Sequence, residues 1–92
     1  MTNQDKKKEF EAALEKTFSN LNDKDVFKLD YVFDVDELIY RIIIIHLTSC
    51  KCVRGKVDFE MAAKAYDIKA VAEKTIEDML ATLKEAVDEE SV

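Results

Sequence analysis

The sequence predicts an all-α fold, a small helical bundle with one extended segment near residues 27–35. Three observations lead there. The 92 residues include one glycine and no proline, whereas multi-stranded folds with tight turns normally use several of both. Apolar residues recur at three-four spacing near both ends of the chain, the signature of helices that bury one face. Between them, four consecutive isoleucines at 42–45 sit in a segment that is apolar on nearly every side, as a central buried helix would be. With 48% apolar residues, five Phe and three Tyr, the chain can build one core. At this length there is no room for a second, so residues 1–92 read as a single domain.

The first element, within residues 1–22, is an amphipathic helix. Asn3 stands at its N-cap, and Phe10, Ala13, Leu14, Thr17, Phe18 and Leu21 share one face. Lys6, Lys7, Glu9, Glu11, Glu15 and Lys16 make an ordinary solvated side. The cluster Asn20, Asn22, Asp23, Lys24 and Asp25 ends the helix, because Asn and Asp bond to their own backbone and favour turns. Phe27, Leu29, Tyr31, Phe33 and Val35 then alternate with Lys28, Asp30, Val32, Asp34 and Asp36, the period of a half-buried strand. No second segment alternates convincingly as its partner. The stretch therefore reads as an extended lead-in packed on helices, with a short helical turn or an edge offered to another chain as alternatives.

Asp34, with Glu37 three residues on, makes a capping-box-like start for LIYRIIIIHLTSC. Length and the charged start favour a helix there, while β-branched Ile in series, poor in helices, keeps a strand as the alternative. KCVRGK is the one clear loop signal, with Gly55 free to take a positive φ. Asp58 then caps a short helix through FEMAAKAY. A break near Asp67 leads to a longer helix whose buried stripe is Val71, Thr75, Ile76, Met79, Leu80, Leu83 and Val87. The tail DEESV is expected to fray.

The stretch KVDFEMAAKAYDIKAVAEKTIEDMLATL resembles the second and third helices of Myb/SANT-like helix-turn-helix domains, especially the divergent fungal ones. The resemblance rests on an apolar helix before a basic loop, on Val57, Asp58 and Phe59 opening the middle helix, on paired Ala62 and Ala63, and on Ile68 just after the turn. It implies a helix-turn-helix-like core over residues 36–92 and a place in a transcription or chromatin-related assembly. Asp67 stands where the turn usually holds Gly, a backbone that Asp tolerates. The outer helix exposes Glu73, Lys74, Glu77, Asp78 and Glu85 where family members that read DNA expose Arg and Lys, and carboxylates face phosphates badly. What the resemblance implies is thus a three-helix core whose outer helix is turned toward a protein partner, or one that never bound DNA.

Charge and chemistry bear on function in the same direction. The net charge of −6 repels nucleic acid and anionic lipid at long range. Start residues MTNQDKKKEF lack the apolar stretch of a signal peptide, and the longest apolar run falls short of the roughly 20 residues of a membrane span. The pair Cys50 and Cys52 would close a strained ring, so both read as free thiols of a cytosolic or nuclear protein. His46, Cys50 and Cys52 could share a zinc site, with Asp58 as a fourth ligand, yet no second ligand pair supports it. His46 and Cys50 read instead as partly buried packing residues at the end of the central helix. The carboxylate pairs Asp23 with Asp25, Asp34 with Asp36, and Glu89 with Glu90 lack a calcium-loop pattern and read as caps, turns and solubilising charge.

No catalytic residue, metal or cofactor is expected. The leading expectation is a non-enzymatic protein-interaction module whose partner is another protein or a second copy of the chain, with Tyr31, Phe33, Tyr40 and Ile44 as an exposed apolar patch. Second comes DNA binding, with Lys51, Arg54 and Lys56 on phosphates and Lys69 and Lys74 at the groove. Third comes a small acidic inhibitor or DNA mimic of phage type.

Overall fold

A computed structural model describes residues 3–90. The side chains of Asn3, Glu89 and Glu90 fall outside that description, so the cap at Asn3, the Glu89 with Glu90 pair and the end of the DEESV tail are not placed. The chain runs α1 (Asn3–Ser19), a 3-10 turn (Lys24–Val26), β1 (Phe27–Asp34), β2 (Ile39–His46), β3 (Cys52–Asp58), α2 (Phe59–Lys64) and α3 (Ile68–Glu90). The three strands form one antiparallel sheet in the order β1-β2-β3. The fold is therefore α+β, and the expected all-α bundle with its helix-turn-helix-like core over 36–92 is corrected: the segment read as the first helix of that core is the central strand of a sheet.

The reason lies in how β2 is used. A strand between two neighbours can bury one face against helices and still keep apolar residues on the other, so its sequence loses the alternation that marks a half-buried strand. Tyr40, Ile42 and Ile44 are buried, while Ile39, Ile43 and Ile45 are only half-buried on the opposite face. The four isoleucines thus supply both faces, and it is their β-branching, not the length of the segment, that marks the strand. The alternating segment at 27–35 is an edge strand after all, and its partner is β2, in a register that pairs Leu29 with Ile44 and Phe33 with Tyr40.

Local chemistry builds both turns. Asp34 Oδ1 accepts from the backbone N–H of Asp36 (3.0 Å) and of Glu37 (3.1 Å), the contacts of a helix cap. Here they close the β1–β2 turn instead. Leu38 completes it at φ 56°. In the β2–β3 turn, His46 Nδ1 and Ser49 Oγ lie 2.7 Å apart, and Cys50 takes φ 62°. Gly55 has no positive φ. Read as the loop residue, it instead lies inside β3, opposite Ile42.

All three helices pack on one side of the sheet. Phe10, Ala13 and Leu14 of α1 and Ile68, Ala72, Ile76, Met79, Leu80 and Leu83 of α3 join Phe27, Tyr40, Ile42, Ile44, Phe59 and Ala62 in one core. These are largely the stripes read from three-four spacing at both chain ends. Asp58 caps α2 by accepting from Met61 N at 3.2 Å. Tyr40 is the aromatic hub, with ring centroids 4.8 Å from Phe10, 4.9 Å from Phe33 and 6.0 Å from Phe59.

Candidate functional site: the open face of the sheet

Alternation along the strands assigns every side chain to one of two faces. The helix-facing set is Phe27, Leu29, Tyr31 and Phe33 on β1, Tyr40, Ile42 and Ile44 on β2, and Val53, Gly55 and Val57 on β3. Among the described residues, no helix lies on the other face. Across it, the register aligns four rows: Lys28 with Ile45 and Cys52, Asp30 with Ile43 and Arg54, Val32 with Arg41 and Lys56, and Asp34 with Ile39 and Asp58. Its centre is an apolar strip, and Val32 alone is 59% exposed. A groove of about 540 Å³ crosses this face, bounded by Asp30, Val32, Arg41, Ile43, Arg54 and Lys56.

The charges on the open face differ in how far they are already engaged. Asp30 accepts from Tyr31 N at 2.9 Å. Asp34 holds the turn and pairs with Arg41 at 3.5 Å, and Asp58 caps α2. Backbone N–H donors, that of Glu37 first, hold the Asp34 carboxyl below the usual carboxylate range, and Arg41 adds to the effect. Arg41 also reaches Glu37 at 3.3 Å. Among the described residues, the side chains of Lys28, Arg54 and Lys56 make no ion pair or hydrogen bond. The face's three carboxylates are thus engaged, and three of its four cations are not.

The residues singled out from sequence are scattered by this geometry. Tyr40 and Ile44 are fully buried, and Tyr31 and Phe33 lie half-buried beside them under α1. The expected exposed patch of Tyr31, Phe33, Tyr40 and Ile44 is therefore the helix-facing core, and the accessible apolar residues are their neighbours Val32, Ile43 and Ile45. Tyr31 donates to Glu15 and Tyr40 to Glu11, each at 2.8 Å. Burial first, and these carboxylates next, push the Tyr31 phenol up to about 12 and the Tyr40 phenol higher still.

The five cations of the DNA alternative do not converge. Arg54 and Lys56 lie on the open face. Lys51 donates to Ala86 O at 2.9 Å on α3. Lys69 pairs with Glu9 at 3.9 Å, and Lys74 is exposed on α3 between Glu73 and Glu77. What sequence reasoning missed is Arg41, which lies directly across from Lys56. Strand register was the only signal that could have joined it to Arg54.

The His46, Cys50 and Cys52 group is likewise dispersed. Cys50 and Cys52 are exposed free thiols, so Cys50 is not a packing residue at a helix end, and His46 is engaged with Ser49. Among the described residues no three His, Cys, Asp or Glu side chains are grouped to hold a metal ion, and no helix is long and apolar enough to cross a membrane.

Two further grooves lie on the helix side. In one, Lys6 donates to Ala63 O at 2.9 Å and Lys7 sits 4.1 Å over the Phe33 ring, so two of its cations already serve the fold. The other, between α1 and α3, contains the Lys69–Glu9 pair. Compared with protein-family profiles, curated proteins and solved structures, the chain gives no match.

Proposed function

We propose that this chain is a non-enzymatic protein-binding module whose docking surface is the open face of its sheet. The supporting observation is that all three helices pack on one side, leaving Val32, Ile39, Ile43 and Ile45 uncovered on the other. A sheet normally buries a hydrophobic face against another layer. Apolar surface left in water forgoes about 25 cal/mol for each Å² that burial would remove, and rimmed apolar patches mark interaction sites. An apolar centre bordered by charged residues is also the anatomy of a protein interface.

The test is partner capture followed by reconstitution with the purified partner. The double variant Ile43→Thr with Ile45→Thr keeps β-branched side chains, and so the sheet, while removing the apolar strip. It should bind at least about tenfold more weakly, a loss of about 1.4 kcal/mol or more. The helix-side variant Glu77→Lys should bind as the unmodified chain does. Equal binding by all three, or no partner at all, contradicts the proposal.

A further inference from the structure

We infer that the occupant of the open face is an acidic amphipathic helix of a partner protein, a proposal that rests on reading this face as the docking surface. Charge points to an acidic partner. The molecule is acidic overall, at −6, yet the unengaged charges of this face are Lys28, Arg54 and Lys56. Its carboxylates are held by Tyr31 N, by the β1–β2 turn and by α2. An approaching carboxylate therefore meets three cations that have no partner of their own, whereas each carboxylate an approaching cation would meet already accepts at least one hydrogen bond, and Asp34 pairs with Arg41 as well. Arginine forks suit carboxylates in particular.

The shape of the face points to a helix. A peptide in extended form adds to the edge of a sheet, while what covers a face is a helix or a second sheet. The second sheet nearest to hand is that of another copy. Stacking two such faces brings six unengaged cations into one contact and adds no unengaged carboxylate to match them, which costs free energy as those charges are desolvated together. A helix with apolar residues at i, i+3 and i+4 fits better. It would lie along Ile43, Ile45 and Val32 and reach Arg54 and Lys56 with carboxylates on its flank. Those two cations are two residues apart on β3, about 7 Å at strand rise, close to the roughly 6 Å between residues i and i+4 of a helix.

The make-up of the face also disfavours nucleic acid. Single strands bind sheets by stacking bases on aromatic rings, and every Phe and Tyr of the three strands belongs to the helix-facing set. The open face offers isoleucine, valine and cations without a stacking platform. Long-range repulsion by the net charge works against phosphates as well.

The experiment is selection from a displayed library of helical peptides against the immobilised full chain. Selected sequences are then synthesised and their sites mapped by isoleucine methyl NMR. The expected result is enrichment of peptides with apolar residues at i, i+3 and i+4 and Asp or Glu on the flank of that stripe, shifts at Ile39, Ile43 and Ile45, and affinity that falls at least tenfold in Arg54→Glu with Lys56→Glu. Both positions are exposed, so circular dichroism should report an unchanged fold. Peptides that bind the same isoleucines with neutral or basic flanks, indifferent to that double variant, overturn this inference and leave the docking face standing. Peptides that map to the helix side overturn both. A single-stranded oligonucleotide that displaces the acidic peptides at lower concentration, or concentration-dependent dimerisation through the same isoleucines, also overturns the acidic-helix assignment.

Discussion

Met79 reaches the sheet only because position 55 has no side chain. A Cβ built on Gly55 would stand 2.8 Å from Met79 Sδ, and Met79 is buried. Gly55→Ala should therefore lose about 1–3 kcal/mol to overpacking, partly offset by about 0.4–1 kcal/mol from a less flexible unfolded chain. The expected net loss is about 1 kcal/mol by urea denaturation, and adding Met79→Ala should cost less than the sum of the two single changes. At Cys50 the situation reverses. Its φ of 62° is a region that Asn tolerates better than other non-glycine residues, and the side chain is exposed. Cys50→Asn should stabilise the fold by about 0.5–1 kcal/mol, seen as a higher melting temperature. Gly55 was visible in the sequence as the one exceptional residue, but a missing Cβ serves close approach as readily as a positive φ, and sequence does not distinguish the two.

The β1–β2 hairpin explains both what sequence could reveal about the elements and what it could not. Asp34 was correctly legible as a residue that caps backbone N–H groups three positions on, yet a hairpin turn and a helix start use the same bonds. The helical stripes of α1 and α3 were legible because one face is buried and the other is charged. β2 was not, because its open face is apolar too, and β3 was obscured by the glycine that interrupts its alternation. The turn makes a prediction about acid. The Asp34 carboxyl is depressed in the folded state, so its contribution is present above the unfolded value, about 3.9, and is lost as pH falls below it through the folded value. Denaturation midpoints between pH 5 and 2 should fall less steeply in Asp34→Asn than in the unmodified chain. The tyrosines act at the other end of the scale. With the Tyr31 phenol raised to about 12 and Tyr40 higher, stability is whole below the unfolded tyrosine value of about 10 and declines as pH rises through about 12. Tyr31→Phe with Tyr40→Phe should flatten that decline in alkaline unfolding followed by circular dichroism.

At the scale of the whole molecule, one layer of helices on one side of a three-stranded sheet leaves an apolar, partly cationic surface on a chain of opposite net charge. The proposed function depends on which side chains occupy that surface, and this depends on the register of β2. A shift by a single residue would exchange the buried and open sets. The most direct measurement is thiol reactivity of Ile43→Cys and Ile44→Cys, each in a chain with Cys50→Ser and Cys52→Ser. The fold described here predicts that Cys at 43 reacts with a water-soluble disulfide reagent at a rate close to that of an exposed thiol. Cys at 44 should be slower by at least about a hundredfold, because it reacts only when the sheet opens. Equal rates, or faster reaction at 44 than at 43, would mean that the isoleucine strip does not face solvent, and the docking surface would be lost with it.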